Sequence, residues 1–479
     1  MRSSQSGNNE CVARVARVAT EARVAVTRSA SCWTSRALVI GMALTLVVGC
    51  SKTDIETPST SGDVASNAIT VATKGAPNLS WPGLLGENQN AAIPGEGYDL
   101  SKLDGQPSPI WQVPLGTGYG APVIDDQQVV VMGRDGEEEF VRSLELQTGE
   151  LIWNHTYPTR FECRFEYSSG PYSTPAVTDE HVFAWSAEGV LRCLNRETGT
   201  IVWTRDLAAE YEAAPGDFPL ATSPALDSDK LFLNVGGGRG ESGVVALSQT
   251  TGETLWTAST DLASHATPVT NTSDNQTTVF VLGYDFLTAI DAERGDVLWQ
   301  REFHANNREM GKFNSTSPLV MGDQLVVAGY AAGGLCLNVA DIESPTLSWE
   351  VNRRIASNQM APVVATPAGL LTYSSDRKLT CIEPDSGEVV FRERYEFGGE
   401  PQWFRCGDWL VVLGMNGKLF VLDTTVRPFA IRFETESPVV TPRCFTTPVA
   451  AGGRLLVRGQ EELTCFDVSA QNGNSEIPP

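Results

Sequence analysis

Leu194-Asn-Arg-Glu-Thr-Gly-Thr-Ile-Val-Trp203 is the stretch on which the fold turns, because the chain repeats it. An apolar residue is followed by polar ones, a Thr-Gly pair, and a short apolar run that ends in an aromatic residue four positions after the Gly. Thr-Gly between two apolar runs reads as a tight turn joining two strands, with Gly supplying the positive φ. Further copies run Leu144 to Trp153, Leu247 to Trp256, Ile290 to Trp299 and Ile382 to Phe391. Weaker ones lie at Leu337 to Trp349, Leu422 to Phe433 and around Phe466-Asp467. From Trp111 to Phe391 successive aromatics stand 42, 50, 53, 43, 50 and 42 residues apart, the length of a four-stranded propeller blade.

A second landmark precedes each copy: a small residue, Pro, then an apolar residue opening a β-branched run. It occurs at Pro122, Pro175, Pro224, Pro268, Pro318, Pro362 and Pro448, while the seventh unit reads Trp403-Phe404-Arg405 instead. Pro at the start of a strand is tolerated because no ladder bond is asked of its missing N–H. The last unit, from Thr447 to about Val468, supplies three strands, and Pro109 to Val113 is an orphan strand ahead of the first unit. Pairing the two closes a ring and removes a sheet edge. The expected fold is therefore all-β: an eight-bladed propeller over 109–468 with four-stranded antiparallel blades, closed by an N-terminal strand.

The repeated element resembles the tryptophan-docking repeat of pyrroloquinoline-quinone (PQQ) type propellers, over roughly 360 residues. The resemblance implies that Trp111, Trp153, Trp203, Trp256, Trp299, Trp349 and Phe391 pack between adjacent blades, and Trp81-Pro-Gly-Leu-Leu-Gly-Glu-Asn88 is similar to the family's Trp-rich lead-in, here 81–108. The family holds quinoprotein dehydrogenases and noncatalytic propellers such as the BamB type of outer-membrane β-barrel assembly lipoprotein. In the dehydrogenases an adjacent Cys-Cys disulfide carries the quinone, Glu, Asn and Asp hold Ca²⁺, and an Asp is the base. This chain has no Cys-Cys pair and no motif onto which the Ca²⁺ ligands map, and Gly407-Asp408-Trp409 reads as strand packing. The noncatalytic branch is expected, with no cofactor; PQQ and Ca²⁺ belong to the alternative, an alcohol or sugar dehydrogenase.

The first 49 residues differ in chemistry from the rest. They carry six Arg, two Glu and no Lys, ending in the thirteen-residue apolar run Ala37 to Gly49. That run is short of the roughly 20 residues a membrane span needs. A basic flank, a short apolar core and a small residue before Cys50 read as a signal peptide, 1–49, and the junction resembles a lipobox that would lipidate Cys50. A buried core segment or an ordinary signal is the alternative. Residues 50–80 have the Ser, Thr, Ala, Gly and Pro content of a flexible tether, and 469–479 of a disordered tail. Ser51 after the Cys implies an outer-membrane anchor facing the periplasm.

Across 479 residues, 58 acidic side chains against 35 basic ones give a net charge of −23, which speaks against nucleic acid as a partner. Val235-Gly-Gly-Gly-Arg-Gly240 lacks the Lys and hydroxyl of a phosphate loop. His155 and His304 are expected in loops, His181 on a strand and His265 near a strand entrance, with no metal-ligand spacing among them. Cys193, Cys336, Cys381 and Cys465 take one equivalent strand position, as small core residues do. Cys163, Cys406 and Cys444 fall outside that set, and Cys406 with Cys444 is the pairing expected if any forms.

Function is then left to the loops. Those ahead of the Pro strands share a face with the loops between second and third strands, and they are long at Asn154 to Ser173, Ala208 to Thr222, Glu302 to Thr316 and Asn352 to Met360. They carry Arg160, Arg164, Tyr167, His304, Arg308, Arg353 and Arg354, a basic and aromatic mixture suited to a protein segment or an anionic ligand. A solvated surface with incidental Arg is the plain alternative. The expected function is a protein-binding or assembly platform, with a small-ligand or polysaccharide site in the central funnel as a further alternative.

Overall fold

The computed structural model describes residues 77–470 apart from 166, 214 and 306–313. Its strands form eight antiparallel sheets in chain order, the eight blades that the repeats predict. Blade 2 is typical: Ala176–Val177, His181–Trp185, Val190–Asn195 and Ile201–Asp206. Blade 8 takes Val449–Ala451, Arg454–Arg458 and Glu462–Asp467 from the end of the array. Trp111–Pro114 completes it, with Trp111 opposite Cys465 and Val113 opposite Leu463.

Blade 1 differs in strand length. Gln128–Asp135 and Glu138–Glu145 are eight residues each, so the fourth strand finds ladder partners all along Leu151–Pro158. His155 therefore lies on a strand opposite Val141, and the loop expected from Asn154 begins only after Pro158.

Second and third strands are buried on both faces, as in Val182 to Trp185 and Leu410 to Leu413, which explains their unbroken apolar runs. Fourth strands are the outer edges, and apolar residues there, such as Ile201 and Leu151, stay exposed. The repeated aromatic is the exception. Each indole N–H donates to a carbonyl in the next blade's turn: Trp111 to Leu146 at 2.9 Å, Trp153 to Arg196 at 2.7 Å, Trp203 to Gln249 at 2.9 Å, Trp256 to Ala292 at 2.9 Å, Trp299 to Ile342 at 2.8 Å and Trp349 to Pro384 at 2.7 Å. In five of the six, all but Trp299, the ring lies on that turn's Gly. At Gly295, with φ of 77°, an added Cβ would stand 2.7 Å from the Trp256 indole. Gly here is demanded twice, by the backbone and by the indole.

Within a blade the aromatic faces a small residue on the third strand: Trp203 opposite Cys193, Trp349 opposite Cys336, Phe391 opposite Cys381. Those thiols are buried, and burial pushes Cys193 and Cys381 up to about 12, so they pack as small apolar groups. All seven described cysteines are free thiols. The pairing of Cys406 with Cys444 does not form: Cys406 Sγ donates to the Pro94 carbonyl at 3.8 Å and Cys444 Sγ to the Thr441 carbonyl at 3.4 Å. Each thiol has its own local acceptor, one under the lead-in and one in a loop.

The lead-in crosses one opening of the ring. Asn78 bonds to blade 8 through Gly452, Trp81 pairs with Ile124 of blade 1, and the Pro82 carbonyl accepts from Val177 of blade 2. Gln89 binds the Thr270 hydroxyl and N–H of blade 4, each at 2.9 Å. Ala92–Ile93 then adds a parallel strand to Arg405 and Cys406 of blade 7. Trp81 is fully buried, edge-on to Phe404 at 5.4 Å. Asn78 and Leu79, which the sequence reading places in the tether, thus already bond to the ring. At the other end, Ser469 bridges to Tyr98 and the Ala470 N–H donates to Gly97.

Candidate functional site

The segments ahead of the first strands converge on the ring axis, and the second landmark explains how they are held. The Ala121 N–H donates to the Thr174 hydroxyl at 2.9 Å, Thr174 to Ser223 at 2.9 Å, Ser223 to Thr267 at 3.1 Å and Thr267 to Ser317 at 3.0 Å. At Thr174, Ser223, Thr267 and Ser317 the hydroxyl residue before the Pro is therefore an acceptor for the preceding blade's N–H. A small side chain is required there because the residues crowd around the axis.

Above this belt lies a cavity of about 130 Å³. Its floor is Leu84 of the lead-in, and its wall includes Ala121, Ala221, Ser223, Met360, Gln402 and Thr447. Around it six rings touch in a closed circuit. Tyr119 meets Tyr172 at 4.8 Å, Tyr172 meets His265 at 6.3 Å, and His265 meets Phe218 at 5.8 Å. Phe218 meets Tyr167 at 6.0 Å, Tyr167 meets Phe445 at 5.9 Å, and Phe445 returns to Tyr119 at 5.1 Å. Five connecting loops, those that leave blades 7, 8, 1, 2 and 3, supply these rings, and the lead-in closes the opposite side.

The funnel is electrically neutral. No described residue lining it carries a formal charge at neutral pH: burial lowers His265 to about 4, so its imidazole is uncharged. Tyrosine hydroxyls are turned to the protein: Tyr119 accepts from the Ser168 N–H at 3.1 Å and Tyr172 donates to the Ser168 carbonyl at 3.0 Å. Gln402 differs. It is 1% exposed, its Oε1 accepts from Thr447 at 3.4 Å, and its buried Nε2 makes no hydrogen bond among the described residues. Beside Tyr119, the Arg458 guanidinium is wholly buried and donates to the Gly120 and Met132 carbonyls; burial lowers it to about 9, which leaves it charged at neutral pH.

The residues expected at the site scatter over this face. Tyr167, 36% exposed, belongs to the aromatic circuit. Arg164 lies beside it, donating to Asp217 at 3.1 Å and 6.0 Å from the Phe165 ring. Arg160 is exposed, its N–H on Glu188 at 3.2 Å. His304 stands 3.9 Å from Asp285 and 3.8 Å from Glu302, on the outer part of blade 4. Arg353 and Arg354 are exposed next to the fourth strand of blade 5, the Arg353 carbonyl accepting from Ser375. Arg308 and Cys50 lie outside the described residues. Only Arg164 and Tyr167 are brought to the funnel. Tyr119, Phe218, Gln402 and Phe445 were not singled out from sequence, and His265 was read only as lying near a strand entrance, since these residues come from five separate units and share no motif.

Among the described residues no group of three or more His, Cys, Asp or Glu is placed to hold a metal ion. The funnel has no carboxylate for Ca²⁺ and no Cys-Cys disulfide for a quinone to stack on, so its residues do not fit PQQ with Ca²⁺.

Residues 137–393 match the family model described as outer membrane protein assembly factor BamB. The BamB of Yersinia pestis is 23% identical over 361 residues, covering 63% of this chain and 85% of that protein. The crystal structure of BamB from Moraxella catarrhalis superposes with a TM-score of 0.55 at 16% identity, over 75% of this chain and 99% of that one. Quinohemoprotein alcohol dehydrogenase from Comamonas testosteroni superposes at 0.58 with 12% identity, over 84% and 82%. At such identities the structural likeness carries the fold alone, whereas the family model spans more than half of the chain. The chain belongs to the BamB-type family of PQQ-like β-propellers.

Proposed function

We propose that this protein is a noncatalytic binding platform of the bacterial envelope, lipid-anchored at Cys50 in the outer membrane, facing the periplasm and engaging a partner protein through its funnel face. The observation that carries this reading is the lining of that funnel: aromatic rings and a neutral imidazole, with no carboxylate to act as base or metal ligand. Aromatic side chains of this kind anchor protein interfaces. Membership of a family named for outer membrane protein assembly supports the same reading. The reading needs neither PQQ nor Ca²⁺.

The test is photo-crosslinking in intact membranes from Arg164, with Cys50→Ala as companion. The platform reading expects one discrete adduct with an envelope assembly protein, and release of the Cys50→Ala protein from the membrane fraction. Stoichiometric PQQ binding in the presence of Ca²⁺, with dye reduction by alcohols or sugars and no adduct, would establish the dehydrogenase instead.

A further inference from the structure

We infer that the funnel is a pocket for one uncharged aromatic side chain of a partner protein, whose backbone carbonyl is received by Gln402 Nε2. The inference deepens the platform reading and rests on it for the identity of the ligand as protein.

Size, surface, charge and one unsatisfied donor select this occupant. At about 130 Å³ the cavity is close to the ~150 Å³ of an apolar cavity that holds a single benzene. Its circuit of tilted and edge-on rings offers both faces and edges to a further ring at the 4.5–7 Å spacing aromatic pairs prefer. A cationic group is disfavoured, because the charged, buried guanidinium of Arg458 sits beside Tyr119 and no lining carboxylate offsets it. A sugar is disfavoured too, because its many hydroxyls need partners while the lining is mainly aromatic and apolar and Tyr172 spends its hydroxyl proton on the Ser168 carbonyl.

What remains is Gln402. Gln402 lines the cavity, and its Nε2 is buried and makes no hydrogen bond among the described residues, an arrangement that costs free energy until an acceptor arrives. A peptide carbonyl one bond removed from an aromatic side chain's Cα supplies that acceptor while the ring fills the cavity. Tyr167 is the most exposed of the lining rings, so the occupant can enter past it as a side chain on a segment that stays outside.

The probe is N-acetyl-phenylalaninamide, titrated into the full-length protein in detergent and followed by the Cε1–H resonance of His265, which sits in the circuit. A saturable shift is expected, with a Kd of about 1 mM for so small a ligand. Gln402→Met keeps the volume and removes the donor, and should weaken binding about tenfold, one hydrogen bond's worth. Tyr167→Ala, at a partly exposed position that leaves the fold intact, should weaken it by a similar factor, whereas Arg164→Ala changes it less than twofold. N-acetyl-leucinamide binds more weakly. No saturable shift, equal binding after both Gln402→Met and Tyr167→Ala, or a shift with cellohexaose but not with the amide would each overturn the inference. Loss of the Arg164 crosslink with the amide still bound would refute the platform reading and leave the pocket. A persistent crosslink with no amide binding would do the reverse.

Discussion

The outer wall of the ring and its centre are built by opposite rules. At the wall one contact recurs: an indole donates its N–H to the next blade's turn six times between Trp111 and Trp349, and in five of the six, all but Trp299, its ring is laid on a glycine. At the centre above the hydroxyl belt nothing recurs. Tyr119, Tyr172, Phe218, His265, Tyr167 and Phe445 come from different positions of different loops and meet once. Repetition marks what any propeller of this kind needs to stand; singularity marks what this one needs in order to choose a ligand.

That contrast breaks most visibly under substitution. Trp256→Ala removes a buried indole and its bond to Ala292, and should cost about 3–5 kcal/mol by denaturant unfolding. Trp81→Ala should cost as much, since the lead-in is packed as tightly as the wall. Gly295→Ala puts a methyl into the Trp256 ring at a positive φ, for about 1–3 kcal/mol. In the Trp256→Ala background the part of that cost due to the clash should vanish while the part due to the positive φ remains, and a double-mutant cycle measures the coupling. Tyr167→Ala and Arg164→Ala should change stability by no more than about 0.5 kcal/mol while altering what the funnel face binds.

A pH dependence sharpens the comparison at the join of blades 1 and 2. Burial raises Glu139 to about 7, with the Ala187 N–H at 3.4 Å and Arg192 pulling the other way. Its folded-state value lies above the unfolded one, so the native protein holds the proton more tightly. The stability this contributes is present in full below about pH 4.5 and is lost as pH rises toward 7, with a limiting slope of about 1.4 kcal/mol per pH unit. Glu400, raised to about 7 by burial, acts in the same direction. Unfolding curves from pH 4.5 to 8 should flatten in part for Glu139→Gln, and an unchanged slope would place the proton elsewhere.

How much was legible in the sequence follows from the same division. Thr-Gly turns, Trp spacings and Pro landmarks are local and periodic, so blade number, closure by Trp111–Pro114 and the Cys positions facing the aromatics could be read directly. The hydroxyls before the prolines were visible as small residues, but their role as acceptors for the neighbouring blade appears only when the ring closes. His155 was misplaced because strand length in blade 1 is set by its hairpin partner, which no turn signal reports. The funnel as an assembled site was illegible, since no period links Leu84 to Phe445 and only the lead-in's path across the ring brings them together. Basic residues on the loops were easy to find, yet Arg164 and His304 stand beside carboxylates supplied by other loops or strands.

The central claim is that recognition happens on the funnel face and not on the repetitive one. Photo-crosslinkers placed at Tyr167, beside the mouth, and at exposed Thr198, in the Thr-Gly turn of blade 2 on the opposite side, test it in one experiment on intact membranes. The account predicts a discrete protein adduct from Tyr167 and none from Thr198. An adduct from Thr198 alone, or from neither position, would contradict it.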